Sequence, residues 1–335
     1  MRKKRNIKKL LVTGGAGFIG SAFIRKYLKS DIKILNIDAL KYSGNLENLR
    51  ETKGKKNYFF KKLDISKFKL LSDEILSFDP DAMIHFAAES HVDNSILKPS
   101  DFIQTNIIGT FNLLESIRMI MNIKKKKNFL LVHVSTDEVF GSLKKSGKFR
   151  ESTKYDPRSP YSSSKAASDH LVRAWSHTYK IPAIITNCSN NYGPYQHNEK
   201  LIPTIITNGI NKKNIPIYGD GKNIRDWLHV DDHINALHKI LFFGEPGERF
   251  NIGGNNEISN INLVRIICDI LNKKINDNFD RSSLIKFVED RKGHDYRYAI
   301  DSSLIKKQLM WQPEVPFKSG LSETVNWYLY NRKNI

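Results

Sequence analysis

Thr13-Gly-Gly-Ala-Gly-Phe-Ile-Gly20 decides the fold of this 335-residue chain. Its glycines fall both as GxGxxG (Gly15, Gly17, Gly20) and as GxxGxxG (Gly14, Gly17, Gly20). Glycine there permits a tight turn and close approach of backbone to a pyrophosphate, whose charge the following helix N-terminus favours. Taken alone, the spacing is common. Here the apolar run Ile7–Thr13 precedes it and the helical pattern Phe18–Leu28 follows. A second apolar run, Lys33–Ile37, then ends at Asp38, about 20 residues on, which is the context of a dinucleotide site. The Asp38 carboxylate suits the two hydroxyls of an adenosine ribose and repels a 2′-phosphate, so NAD is expected rather than NADP. Lys41 argues the other way, because a lysine there could pair with such a phosphate. Asp64-Ile65 follows another strand pattern and suits an adenine contact, or Asp64 simply caps the next helix.

Outward from this unit the pattern repeats. Strands are predicted over Tyr58–Leu63, Ala82–Ala87, Phe129–Ser135 and Ala183–Asn187, with helices near Asp101–Met121 and Tyr161–Thr178. The expected fold is α/β: a Rossmann-type doubly wound parallel sheet, with its ligand crevice at the carboxyl ends of the strands. After about residue 190 the segments shorten, and Asn190–Pro194 and Tyr218–Lys222 are rich in turn residues. Residues 1–190 are therefore expected to bind NAD, with about 220–260 crossing back. Residues 191–335 are expected to form mainly a smaller mixed α/β substrate lobe.

Composition narrows the class. The chain is 40% hydrophobic and 27% charged, which suits an ordinary globular protein, and no apolar run has the length of a membrane span. Cys188 and Cys268 suggest neither a disulfide framework nor a metal site, so a reducing, cytoplasmic setting and no metal are expected. The formal charge of +19 raises the question of nucleic acid. The excess is dispersed and dominated by lysine, and its densest runs, Lys124–Lys127 and Lys53–Lys56, read as solvated loops. Neither a nucleic-acid partner nor a membrane is expected.

Tyr161 and Lys165 stand at i and i+4, on one face of one helix. A tyrosine of ordinary pKa is a poor base at neutral pH; a neighbouring ammonium and an oxidised nicotinamide would both favour its phenolate. The pair lies downstream of a strand ending Val134-Ser-Thr136, behind a dinucleotide loop, and so reads as redox machinery. Asp137-Glu138 follows directly, either a catalytic carboxyl pair or the acidic start of a helix.

These stretches resemble the extended short-chain dehydrogenase/reductases, and within them the dTDP-glucose 4,6-dehydratases. The resemblance spans nearly the whole chain. It is carried by His85-Phe-Ala-Ala-Glu-Ser-His-Val-Asp93, Ser135-Thr-Asp-Glu-Val-Phe-Gly141, Tyr161-Ser-Ser-Ser-Lys-Ala-Ala-Ser-Asp169, Thr186-Asn-Cys-Ser-Asn-Asn-Tyr-Gly-Pro194, Ile224-Arg-Asp-Trp227 and Asp290-Arg-Lys-Gly-His-Asp295. It implies oxidation of the sugar at C4 by NAD, with Tyr161 as base and Thr136 bonded to the same oxygen. The new ketone acidifies C5–H, and water leaves across C5–C6. Two adjacent carboxyls could serve that step, and the resemblance implies Glu138 as base and Asp137 as acid. Asp137 must then hold its proton near neutrality, which burial and a neighbouring carboxylate favour.

By motif position, the resemblance implies NAD contacts from Gly14, Gly17, Phe18, Ile19, Gly20, Asp38, Ala39, Leu40, Lys41, Asp64 and Ile65. Phe86, Ala87, Ala88, Glu89, Ser90, Thr105, Tyr161, Lys165 and Asn191 complete that set. Ser90, Thr136, Asn190, Lys200, Leu201, Pro216, Ile217, Tyr218, Arg225, Asn260, Asp290, Arg291, Lys292, Gly293 and His294 would surround dTDP-glucose. Arg225 suits a diphosphate or an ion pair with Asp226; Arg291 could be surface charge and His294 a core histidine. The chain departs from the family pattern at Phe140, Lys292, His85-Phe86 and Gln196-His197-Asn198. A homodimer joined through the two helices named above is also implied. The competing enzyme readings are a nucleotide-sugar 4-epimerase, which needs the tyrosine and NAD but no carboxyl pair, and a dehydratase of another sugar nucleotide; the competing non-enzyme reading is a catalytically dead binding module.

Overall fold

The computed structural model describes residues 2–126 and 128–331. The chain runs through strands β1 (Lys9–Thr13), β2 (Lys33–Asp38), β3 (Tyr58–Lys62), β4 (Ala82–His85), β5 (Leu130–Thr136) and β6 (Ala183–Cys188). It continues through β7 (Asn190–Tyr192), β8 (Ile215–Tyr218), β9 (Ile224–His229), β10 (Arg249–Ile252), β11 (Glu257–Ser259) and β12 (Ile285–Val288). Seven of these form one parallel sheet in the order β10-β6-β5-β4-β1-β2-β3. The order reverses between β1 and β4, and a ligand crevice is expected outside the strand ends at that point. The edge strand β10 comes from chain beyond residue 190.

Both faces of this sheet are buried, which is why its strands read as continuous apolar runs. Alternate residues serve opposite faces. Leu10, Val12, Ile84 and Val132 pack with Phe23 and Ile24 of helix α1 (Phe18–Tyr27) and with Leu237 and Ile240. Leu11, Met83 and Leu131 face the other layer with Leu71, Ile75, Leu113, Ile117 and Val172. That layer comprises α2 (Phe68–Phe78), α5 (Gly109–Lys124) and α6 (Pro160–Tyr179), while α3 (Val92–Leu97) and α4 (Pro99–Phe102) lead into α5. Truncating a fully buried Leu131 to alanine is expected to cost about 3 kcal/mol.

The helix expected near Asp101–Met121 is more complex than its pattern suggests. Wide π turns over Ile103–Ile108 join α4 to α5. They turn Asn106 inward, where its side chain accepts from Glu89 N (2.8 Å) and donates to Glu89 O (3.0 Å) and Ser164 Oγ (2.8 Å). Helix α6 starts cleanly because Ser159 and Ser162 form a capping box and Pro160 occupies its first turn. Lys124 closes α5, and Lys126 meets Asp79 (3.0 Å) and Asp81 (3.7 Å), so this part of the lysine run is structural rather than a free loop. Lys127 lies outside the described residues.

The smaller lobe holds the β11-β9-β7 and β12-β8 sheets with α7 (Leu201–Ile210), α9 (Asn260–Lys274) and α11 (Phe317–Tyr330) around a core that includes Ile206, Ile267 and Leu321. Helix α8 (Val230–Phe243) packs on the main sheet, and α10 (Ser303–Leu309) precedes α11. No helix among the described residues is long and apolar enough to cross a membrane.

Candidate active site

The cofactor side is built from backbone constraints. Gly14 has φ +72° and donates to Ile37 O; a Cβ there would lie 2.5 Å from Ala87 N. A Cβ on Gly20 would fall 2.3 Å from Gly14 O, so the loop and α1 pack only with glycine. Asp38 accepts from Ala16 N and Leu40 N, both at 2.8 Å. Its oxygens thus hold the loop as well as offering lone pairs to a ribose. Burial pushes this carboxyl up, and the two N–H donors oppose that.

Lys41 is the point at which the phosphate reading fails. Its ammonium bonds Thr105 Oγ1 (2.9 Å) and lies 3.3 Å from Asp64 and 3.6 Å from Glu89. Two carboxylates already neutralise it, which leaves Asp38 to repel a 2′-phosphate unopposed. Asp64 lines the cleft and accepts from Ser66 N, but it does not cap α2, whose N-cap position is Lys67.

A single cleft runs from the glycine loop to the end of β5. Every expected NAD residue except Leu40 lines it, together with Thr136, Glu138, Asn190 and Lys200. Leu40, with φ +52°, turns its side chain toward the core and contributes its N–H to Asp38. Ser43, Gly44, Cys188, Ser189, Gln196, His197 and Glu199 also line the cleft and were not expected from motif position. Ser189 Oγ, Asn190 Oδ1, Gln196 Oε1 and Glu199 Oε1 are buried without hydrogen-bond partners among the described residues. Such groups are costly unless a polar ligand meets them, so the lining fits a dinucleotide.

At the end of β5 the catalytic candidates converge. Thr136 caps a short 3-10 turn over Asp137–Phe140, accepting from Glu138 N at 3.3 Å, so the acidic pair does begin a helical turn. Glu138 faces the cleft, whereas Asp137 is 1% exposed behind it. Asp137 Oδ1 meets Thr136 Oγ1 at 3.3 Å and its Oδ2 is buried without a hydrogen-bond partner among the described residues. Burial first, then Glu138 and Asp226, push the Asp137 carboxyl well above the usual range. Burial also raises Glu138, but Arg225 and Lys200 pull it back. The adjacent carboxyls are therefore unequal, Asp137 holding its proton more firmly.

Tyr161 lines the same cleft and differs from expectation in one respect. Burial, then Glu138 and Cys188, drive its phenol well above 10, with Thr136 opposing. The Lys165 ammonium donates to Val134 O at 2.9 Å and is itself pulled down by burial. The chain alone therefore does not activate Tyr161. The positive charge of an oxidised nicotinamide ring would supply what the protein withholds.

The expected sugar-nucleotide residues divide. Ser90, Thr136, Asn190 and Lys200 line the cleft, and Lys200 donates to Ser90 O at 2.7 Å. Arg225 forms no ion pair with Asp226; it donates to the carbonyls of Ile224, Tyr296 and Asp295 beside the Tyr298 ring. Asp226 instead accepts from Gly254 N and Asn256 N. Arg291 is not free surface charge, because it grips Asp93 with two bonds of 2.6 and 2.8 Å and lies over Tyr218. His294 bonds Asp290 at 2.6 Å. At 2% exposure the Ile217 side chain belongs to the lobe core, as does the partly buried Leu201, so Ile217 can meet a sugar nucleotide only through its backbone. Pro216 and Lys292 are exposed, Gly293 turns at φ +67°, and Asn260 opens α9 with its Oδ1 buried and without a hydrogen-bond partner among the described residues. Phe140 stacks into a cluster with Phe149 and Tyr155, so its ring serves packing there.

Residues 11–324 match the family described as GDP-mannose 4,6 dehydratase. The dTDP-glucose 4,6-dehydratase of Escherichia coli is 49% identical, the alignment covering 97% of this chain and 94% of that one. Among solved structures, a dTDP-glucose 4,6-dehydratase from Streptomyces venezuelae with NAD bound superposes with TM-score 0.90 at 43% identity, over 97% of this chain and 98% of that one. The Bacillus anthracis enzyme of the same name, in complex with NAD, gives TM-score 0.85 at 47% identity, over 97% of both chains.

Proposed function

The chain belongs to the nucleotide-sugar 4,6-dehydratase family, and from that premise we propose that it converts dTDP-glucose to the 4-keto-6-deoxy sugar nucleotide and water. The observation that carries this reading beyond redox chemistry is the unequal carboxyl pair beside Tyr161. An epimerase needs no such pair. NAD, held along the glycine loop and Asp38, would supply the oxidant for C4 and the hydride for C6.

The remaining chemistry falls to the chain. Tyr161 removes the C4 hydroxyl proton while Thr136 holds that oxygen. Glu138, open to the cleft, takes the C5 proton and gives it back to C5 as hydride reaches C6, and Asp137, kept neutral, supplies a proton to the leaving C6 hydroxyl. In this reading residues 1–190, with 220–260 returning, carry the cofactor. Residues 191–335 hold mainly the sugar nucleotide, through Arg225, Asn260 and the 290–294 loop. The setting is cytoplasmic deoxysugar synthesis of the dTDP-rhamnose kind.

We also propose a homodimer through α5, α6 and the segment before them, where Leu97, Ile103, Phe111, Ile123 and Tyr179 expose apolar surface. Light scattering should then report twice the monomer mass. To test the activity, purified protein is given dTDP-glucose without added reductant. A 4-keto product, seen by its chromophore in alkali, is expected; a galactose epimer as sole product defeats the reading.

A further inference from the structure

Tyr161, Lys165 and Asp169 follow one another at intervals of four on α6, and so share its inner face. Asp169 has no exposure, yet is not paired with a single cation. Its carboxylate collects Tyr155 Oη at 2.6 Å, Ser135 Oγ at 2.9 Å, His133 Nε2 at 3.1 Å and Asn187 Nδ2 at 3.4 Å. These donors come from β5, β6 and the segment before α6. One of these donors, Asn187, also grips the strand that carries Thr136, together with Lys165 and Cys188. Lys165 donates to Val134 O, Cys188 to Ser135 O and Asn187 to Thr136 O, so three successive carbonyls are held by side chains.

A carboxylate buried at such cost needs a reason, and a neutral asparagine could hold a scaffold together. We propose that Asp169 is a positioning residue for C4 oxidation: it fixes the end of β5 and, by its charge, keeps the Lys165 ammonium protonated beside Tyr161. This rests on the reading of Tyr161 and Lys165 given above. Burial pulls Lys165 below its ordinary range, and Asp169 is the strongest group opposing that, followed by Cys188. The other titratable groups around the pair do not take over the task. His85 and His133 are both held down by burial, and burial pushes the Cys188 thiol up to about 12, so all three stay neutral near pH 7. The donors to Asp169, with Lys165, keep its own carboxyl below the usual range despite its burial.

The test is the pH profile of the first turnover in NAD-loaded enzyme, followed by absorbance of the reduced nicotinamide. Asp169→Asn is expected to bring the alkaline limb down by about one pH unit, because Lys165 then loses its proton earlier. Tyr155→Phe removes a donor but leaves the charge, which then acts more strongly on Lys165, and should move the limb upward. A uniform loss of rate with the limb unmoved in Asp169→Asn overturns the proposal. If that variant does not fold, an unmoved limb in Tyr155→Phe overturns it. Lys165→Met separates the two readings. If it keeps the wild-type first-turnover rate, the catalytic assignment itself fails; if it is inactive while Asp169→Asn leaves the limb in place, only the role of Asp169 fails.

Discussion

On the cofactor side of the cleft, Gly14, Asp38 and Lys165 are each fixed by backbone atoms of neighbouring strands or turns. On the sugar-nucleotide side, Arg291 and Tyr218 reach Asp93 through side chains alone, across 198 and 125 positions of chain. The first arrangement is rigid because moving one residue breaks a strand end. The second can open without breaking a strand ladder, because it joins separate segments only through side chains. A bound dinucleotide that acts repeatedly and a substrate that must enter and leave call for just this difference.

Substitutions at the rigid end should do the most damage. Tyr161→Phe is expected to lower kcat about a thousandfold, by loss of the base. Glu138→Gln should lower turnover by a similar factor, roughly a thousandfold, yet still allow C4 oxidation, so that NADH accumulates on the enzyme. Wild-type turnover in Glu138→Gln would remove the assigned base.

The open side should respond in binding instead. Arg291→Lys loses the fork that grips Asp93, and KM should rise about tenfold with kcat nearly unchanged. An equal fall in kcat would mean that this loop belongs to the rigid end after all.

A smaller effect concerns stability. The folded carboxyl of Asp137 lies well above its ordinary value of 3.8, so the folded state binds its proton more tightly than the unfolded state does. Ionisation therefore destabilises the fold as pH rises above the ordinary value, with the loss continuing up to the raised one. Asp137→Asn should match the wild type in Tm below about pH 4 and exceed it increasingly toward neutrality. A constant difference across that range would show that Asp137 ionises freely.

The same contrast explains what the sequence discloses. The glycine loop, Asp38 and the Tyr161–Lys165 pair depend on short spacings, and these are visible in the chain. Lys41 could not be decided that way, since its partners Asp64 and Glu89 come from two other strand ends. The Asp169 cluster gathers residues from 133 to 187, and no local pattern announces it. At Ile217 motif position suggests a ligand contact without disclosing that alternation along β8 turns the side chain into the core and leaves the backbone to make it. Glu199 and Gln196 reach the cleft from an irregular segment whose path periodicity does not predict.

The most direct test of the carboxyl pair and its cofactor is to follow one hydrogen. With dTDP-glucose deuterated at C4 and no added reductant, the label should appear at C6 of a 4-keto-6-deoxy product. Label retained at C4 of an epimerised sugar, or lost to solvent, would contradict dehydration by Asp137 and Glu138 around a regenerated NAD.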